Sequence, residues 1–148
     1  VDESVYNTNK IEFIKLGLLH DIFVINTNSR YKDIVFSKEK LAQEKIYAPK
    51  KTSLTSINLM KELKLTADTE NIKNITYTTM LGILKTEDSI GIITKEYIKD
   101  ELEGNKLAIL KTDFEFEPME FGIYINKENK FKELKDLIKI MKNEFLQV

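Results

Sequence analysis

The chain has 148 residues, the length of one ordinary domain or two small lobes, and 42% of them are apolar. Its 23 basic and 24 acidic residues leave a net charge of -1, which excludes the basic field that drives nucleic-acid binding. Cysteine is absent, so disulfides and thiolate chemistry are excluded, and no apolar run approaches the roughly 20 residues that span a bilayer. We therefore expect a cytoplasmic protein with no membrane partner.

The opening segment predicts two strands. Residues 11–16 form a β-type apolar run that stops at Gly17, and residues 21–25 form a second apolar strand. Two strands in such quick succession predict an antiparallel pair. The polar cluster at residues 26–29 ends the second strand and is a candidate hinge, where the backbone leaves one sheet for another.

A transition from strand to helix follows. Ser37 caps a predicted helix that runs to Glu44, and residues 46–48 form a short buried strand. Thr52 and Ser53 then lead into a helix with apolar residues at helical spacing. The free backbone N–H groups at this helix start, together with the two hydroxyls, can bind a carboxylate or another anion. The alternative is that one hydroxyl merely caps the helix, which is the commoner arrangement.

The stretch at residues 80–110 alternates helix, strand, short helix and strand. A third strand, residues 72–77, precedes it, and Thr78 and Thr79 open its first helix. Such alternation predicts an open α/β sheet in which the carboxyl ends of the strands meet at one edge. A second helix start at this edge strengthens the prediction of an anion site.

The last part of the chain predicts one long helix and two strands. Phenylalanines and glutamates alternate between Phe114 and Phe121, which indicates a strand with a solvated acidic face. Residues 121–125 form another apolar strand. Apolar residues then recur at three-and-four spacing from Phe131 to Leu146, Leu137 among them, which predicts a helix with one buried face.

No catalytic or metal-binding set can be assembled from the side chains. His20 is the single histidine, so it has neither a second metal ligand nor a nucleophile to activate. The acidic neighbours Glu87 and Asp88 are interpreted as solvated surface, and no glycine-rich phosphate loop occurs. We therefore expect no catalytic residue, no metal and no cofactor.

Three blocks of sequence resemble the effector-binding domain of LysR-type transcriptional regulators, in the Lys- and Ile-rich version of low-GC Gram-positive bacteria. They are residues 46–63 (IYAPKKTSLTSINLMKEL), 77–110 (YTTMLGILKTEDSIGIITKEYIKDELEGNKLAIL) and 121–145 (FGIYINKENKFKELKDLIKIMKNEF). Residues 11–25 resemble the segment that enters the second lobe of that family. The resemblance covers nearly the whole chain.

The resemblance implies an α/β, periplasmic-binding-protein-like type II fold. Lobe II, a sheet with flanking helices, would comprise residues 27–118, and residues 1–26 and 119–148 would form a partial lobe I. The family's helix-turn-helix and the first part of lobe I have no counterpart here. The chain is therefore expected to be N-terminally incomplete and to contact DNA only through a domain that it lacks.

The resemblance also implies a mechanism, in which a small-molecule effector, in many family members an anionic metabolite, binds between the lobes of a homodimer or homotetramer. A ligand shifts the lobes only by its differential affinity for the two states, so with part of lobe I missing we expect weak or absent binding by this chain alone. Carried over by position, the effector-binding residues are Thr52, Ser53, Tyr77, Thr78 and Thr79, and the hinge residues are Asn26, Thr27, Phe121, Gly122 and Tyr124.

Two other classes of protein share the two-lobed fold. The first alternative is the solute-binding component of a transporter, which a lipoprotein signal upstream would indicate. The second is an enzyme such as a deaminase or a prephenate-dehydratase-like protein. The enzyme hypothesis would require Asp88 and His20 to meet in one pocket.

Overall fold

The computed structural model describes residues 11–66, 68–126 and 132–145, with the side chains of 134–144 in the last range. A 3₁₀ turn at Lys95–Tyr97 connects two of the elements. The strands are β1 (Ile11–Leu19), β2 (Asp21–Asn26), β3 (Ile46–Ala48), β4 (Ile72–Asn74), β5 (Ile90–Thr94), β6 (Leu107–Ile109) and β7 (Met119–Asn126). The helices are α1 (Lys38–Leu41), α2 (Leu54–Glu62), α3 (Tyr77–Thr86), α4 (Lys99–Glu103) and α5 (Lys132–Phe145).

The chain divides into two compact units. The central unit is His20–Glu117, and the terminal unit combines Val1–Leu19 with Pro118–Val148. Each unit has its own sheet, because β1 and β7 form one sheet and β2 to β6 form the other.

The terminal unit is built on an antiparallel pair of β1 and β7, from Ile11 opposite Asn126 to Leu19 opposite Met119. The prediction that β1 stops at Gly17 is wrong, because the strand passes through a register shift there and continues to Leu19. A β-bulge of this kind inserts an extra residue without ending the ladder. Gly122 is required by close packing, since a Cβ at that position would overlap the carbonyl oxygen of Ile14.

The last helix matches its prediction in part. α5 covers most of the predicted range and buries Ile138, but Leu137, which was assigned to the buried face, is half exposed. Phe131 and Leu146 lie outside the described residues.

The central unit has a mixed five-stranded sheet in the order β4-β3-β5-β2-β6. β3 pairs in parallel with β4 and with β5, whereas β2 is antiparallel to both β5 and β6. The predicted pairing of β1 with β2 is therefore wrong. β2 carries three buried apolar residues in a row, because it lies between two other strands and both of its faces are covered.

The two faces of the central sheet bury separate apolar clusters. Alternation along β5 directs Ile90 and Ile92 to one face and Ile93 to the other. The first cluster includes Leu59 of α2, and the second includes Met80 of α3. The two helices therefore cover opposite faces, and all five residues of β5 are buried.

The predicted helix, strand, short helix and strand at residues 80–110 are confirmed as α3, β5, the 3₁₀ turn with α4, and β6. Several boundaries differ from the predictions by one to three residues. The helix capped by Ser37 ends at Leu41 rather than Glu44, β4 ends at Asn74 rather than residue 77, and β6 ends one residue early, at Ile109.

The strand predicted between Phe114 and Phe121 begins only at Met119, so the prediction is wrong for residues 114–118. This segment is irregular, and Phe114 and Phe116 pack against the first core cluster while Glu115 and Glu117 are exposed. An extended segment that lies against a core shows the same alternation as a paired strand, because its side chains also point to opposite sides.

Replacing Leu59 by Ala tests the packing of α2. Leu59 is fully buried, so we expect a loss of about 2–5 kcal/mol in the free energy of unfolding from the missing side chain and the cavity it leaves. Ile57→Ala is a matched control on the exposed side of the same helix, with an expected loss of about 1 kcal/mol or less. Urea denaturation measures both, and equal losses would contradict the assigned faces.

Candidate functional site

The carboxyl ends of β3 and β4 lie side by side and each leads into the start of a helix. The two strands are parallel, with Ala48 opposite Asn74 at their ends. The next element after β3 is α2, and the next after β4 is α3. Both helix N-termini therefore lie at one edge of the sheet, as ligand sites of open α/β sheets do.

A single carbonyl group joins the two turns. The carbonyl oxygen of Pro49 accepts hydrogen bonds from the Ser56 hydroxyl and from the Asn74 side-chain amide, each at 2.7 Å. The backbone N–H of Ile75 also donates to the carbonyl of Ala48 at 2.9 Å. The turn before α2 is thereby held directly beside the turn before α3.

The hydroxyls at the start of α2 have different partners. Ser53 is the N-cap and accepts a hydrogen bond from the Ser56 backbone N–H at 3.2 Å, so the capping interpretation is confirmed for this residue. Thr52 is exposed, as are Lys50 and Lys51 before it. An anion at this turn would therefore meet the Thr52 hydroxyl and two ammonium groups.

At the start of α3 the capping residue is one that the sequence analysis missed. Thr76 is the N-cap, accepts from the Thr79 backbone N–H at 3.4 Å and donates to the Thr79 hydroxyl at 2.8 Å. Thr78 is exposed beside them. The signal for Thr76 was present, since threonine before a helical run is a typical N-cap, but the preceding strand was predicted too long.

Tyr77 forms an aromatic pair with Tyr97, which sequence analysis also missed. The Tyr77 hydroxyl donates to the Tyr97 carbonyl at 2.7 Å, and the ring centroids are 6.3 Å apart. Burial, followed by the charge of Glu101, raises the pKa of Tyr77, so the hydroxyl stays protonated near neutral pH. Tyr97 follows the carboxyl end of β5, which lies beside β3 at the same edge of the sheet. A correct prediction of the strand order would therefore have placed Tyr97 near Tyr77.

The first two predicted hinge residues stabilise loops within the central unit. The Asn26 amide donates to the carbonyls of Leu84 and Lys85, which are in the last turn of α3. The Thr27 hydroxyl donates to the carbonyl of Asn105, in the turn before β6. These contacts explain the polar residues at the end of β2.

The other three predicted hinge residues, Phe121, Gly122 and Tyr124, lie in β7 of the terminal unit. The chain passes between the units at Leu19 and His20, and again at residues 117 and 118. A hinge role for the five residues stays a prediction, as does effector binding by Thr52, Ser53, Tyr77, Thr78 and Thr79.

His20 is held by a carboxylate at the end of β5. Its backbone N–H donates to Glu96 Oε2 at 2.9 Å, and its imidazole Nδ1 lies 2.5 Å from Glu96 Oε1. Burial alone would raise the pKa of Glu96, but the hydrogen bonds from His20 outweigh it and lower the pKa. The carboxylate is therefore kept ionised as the partner of His20.

The pocket shared by Asp88 and His20 that the enzyme hypothesis requires is not found in the described ranges. Asp88 precedes β5 and accepts a hydrogen bond from the Ser29 hydroxyl, whereas His20 lies beside the opposite end of β5. Among the described residues no group of three His, Cys, Asp or Glu side chains could hold a metal ion. Each helix there is also too short or too polar to cross a membrane.

Solved regulatory domains share the fold of this chain. The CcmR regulatory domain of Synechocystis PCC6803, solved in complex with 2-PG, matches 92% of this chain and 67% of its own at 9% identity, with a TM-score of 0.71. A probable transcriptional regulator from Pseudomonas aeruginosa matches 90% and 45% of the two chains at 12% identity, with a TM-score of 0.67. The regulatory domain of MetR, a LysR family regulator from N. meningitidis, matches 93% and 66% at 11% identity, with a TM-score of 0.66.

A binding protein has the same fold with a lower score. Holo ArgBP from T. maritima matches 99% of this chain and 59% of its own at 13% identity, with a TM-score of 0.57. No family profile and no curated protein matches the sequence. The likenesses confirm the predicted α/β, periplasmic-binding-protein-like fold, and this chain spans only about half to two thirds of the structures it matches.

Alanine at Ser53 tests the helix cap at the candidate site. We expect a loss of about 1 kcal/mol in the free energy of unfolding, because the Ser56 N–H loses its acceptor. Thr52→Ala is the matched control and should change stability by less than about 0.5 kcal/mol, since Thr52 is exposed and lies outside the cap. Chemical denaturation of both variants measures the difference, and a larger loss for Thr52→Ala would overturn the assignment.

Glu96→Gln tests the pairing with His20 through pH. The folded pKa of Glu96 lies below the ordinary value of a glutamate, so the stabilisation is complete above that ordinary value and is lost as the pH falls through the folded pKa. At neutral pH the variant should lose about 1 kcal/mol, a figure reduced because the His20 side chain is 44% exposed.

The unfolding free energies of the wild-type chain and the Gln variant should converge as the pH falls from neutral to about 3. Urea unfolding at several pH values measures this convergence. A difference that stays constant over the whole range would mean that the charge of Glu96 has no role.

Proposed function

We propose that this chain is the small-molecule-sensing part of a LysR-type transcriptional regulator. The observation that carries the proposal is the pair of helix starts joined at the Pro49 carbonyl, where hydroxyl-bearing turns lie at the carboxyl edge of the sheet. The fold shared with LysR regulatory domains supports the proposal.

The chemistry of this edge favours an anionic effector. Neither α2 nor α3 has an acidic residue in its first turn, so the partial positive charge of both N-termini is uncompensated. Lys50 and Lys51 add two exposed cations at the first turn. In the proposed site the Thr52 and Thr78 hydroxyls and the backbone N–H groups bind the anion, and Tyr77 with Tyr97 provides an aromatic wall.

In this proposal the effector acts by shifting an equilibrium between conformations of the regulator. The full protein would be a cytoplasmic homodimer or homotetramer, and DNA would be bound by a part of the protein outside this chain. The net charge of -1 supports that division, because binding to the DNA backbone needs an extended basic surface.

The alternative function is solute binding for a transporter, as the resemblance to ArgBP allows. The arginine-bound ArgBP structures match with lower scores than the regulatory domains do. A cationic ligand would also be disfavoured by two uncompensated helix N-termini beside two lysines.

A titration of the ¹⁵N-labelled chain tests the proposal, because amide chemical shifts detect weak binding. The probes are 2-PG, inorganic phosphate and L-arginine. We expect 2-PG or phosphate to shift the amides of residues 50–53 and 76–79 saturably, with a dissociation constant on the order of 1 mM, while L-arginine leaves them unchanged.

Two lysine variants separate this site from general charge effects. Lys51→Gln should weaken anion binding roughly threefold through the loss of one exposed cation, and Lys139→Gln, an exposed lysine of α5, should not alter it. Shifts at these turns with L-arginine alone would favour the transporter function. Saturable shifts with 2-PG or phosphate that fall elsewhere in the chain and leave residues 50–53 and 76–79 unchanged would contradict an effector site at this edge.

A further inference from the structure

The starts of α2 and α3 lie at the β4 and β3 end of one edge of the central sheet. A cleft of about 380 Å³ lies at the β2 and β6 end of that edge. It is formed by the start of β2, the carboxyl ends of β5 and β6, and the segment that follows β6. The volume is within the range of small-ligand sites. The sheet order separates this cleft from the turns after β3 and β4, so it is a different site from the effector site proposed above.

Three phenylalanine rings form one wall of the cleft. Phe23 comes from β2, and Phe114 and Phe116 come from the irregular segment that packs over it. The centroid distances are 6.1 Å from Phe23 to Phe114, 5.6 Å from Phe23 to Phe116 and 5.8 Å between Phe114 and Phe116. The wall can therefore contact an apolar body, and aromatic faces also attract cations.

A buried carboxylate lies in the same lining. Asp21 is only 8% exposed, and its Oδ1 accepts a hydrogen bond from the Thr94 hydroxyl at 2.8 Å. Within the described part of the chain, no lysine, arginine or histidine lies within ion-pair distance of it. A buried negative charge whose only hydrogen-bond partner is a neutral hydroxyl is stabilised by a cation that binds beside it.

The other charged residues that line the cleft do not compensate the charge of Asp21. Lys111 forms an ion pair with Asp33 at 3.6 Å, and His20 is held by Glu96. Lys95 and Glu115 are exposed, so water screens their charges. Asp21 is therefore the buried charge in the cleft that a ligand can compensate.

We propose that this cleft binds a small organic ammonium compound with an apolar body. The ammonium group forms an ion pair with the Asp21 carboxylate, and the body packs on Phe114 and Phe116, which are only partly buried where they cover Phe23. No covalent step is involved, and the site is contained within the central unit.

Three probes with the same phenyl body and different charge test the proposal: 2-phenylethylammonium, 2-phenylethanol and 3-phenylpropionate. Each is titrated into the ¹⁵N-labelled chain near neutral pH. We expect the ammonium probe to shift the amides of residues 21–23 and 110–116, with at least about tenfold higher affinity than the alcohol or the carboxylate. Residues 50–53 and 76–79 should not respond.

Asp21→Asn keeps an acceptor for Thr94 and removes the charge, so it should abolish the preference for the ammonium probe. Phe116→Leu keeps an apolar side chain without an aromatic face and should weaken ammonium binding severalfold. This variant tests the proposal if Asp21→Asn fails to fold. Asp100→Asn, an exposed acid in α4, is the matched control and should bind as the wild-type chain does. Equal affinity for the alcohol and the ammonium probe, or shifts with none of the three, would overturn the proposal.

Discussion

The burial of the central sheet on both faces is the constraint on which the rest of the central unit depends. All of β5 is buried, and β2 beside it carries Phe23, Val24 and Ile25 with almost no exposed surface. Strands covered in this way cannot present side chains to a ligand along their length. Ligand-binding groups must therefore lie where the strands end, and parallel pairing places the ends of β3, β4 and β5 at one edge.

At this edge, the groups that stabilise the fold are not the groups free for a ligand. The Ser53 side chain caps α2, and the hydroxyls of Thr76 and Thr79 bond to each other at the start of α3. Thr52 and Thr78 remain exposed. Thr76 and Thr79 are exposed too, but of the serine and threonine hydroxyls described at residues 52–53 and 76–79, only those of Ser53, Thr76 and Thr79 are hydrogen-bonded. The hydroxyls of Thr52 and Thr78 can therefore bind a ligand without breaking a cap, as can the backbone N–H groups of both helix starts.

The two ends of the edge differ in electrostatic character. Two uncompensated helix N-termini lie at the β3 and β4 end, whereas a buried carboxylate, Asp21, lies at the β2 end; exposed lysines occur at both ends. An antiparallel β2 is the cause, because its reversed direction brings its first residue, Asp21, opposite the last residue of β5. One sheet edge can therefore favour ligands of opposite charge at two separate places.

The sequence by itself determined the local elements. The strand at residues 46–48, the helix start at Ser53 and the alternation at residues 80–110 were all predicted, because periodicity and capping residues act over a few neighbours. Only the tertiary structure decided the pairing of β1 with β7, the insertion of β2 between β5 and β6, and the packing of Phe114 and Phe116 over Phe23. These contacts join residues far apart in the chain, and an apolar strand carries no local signal that specifies its partner.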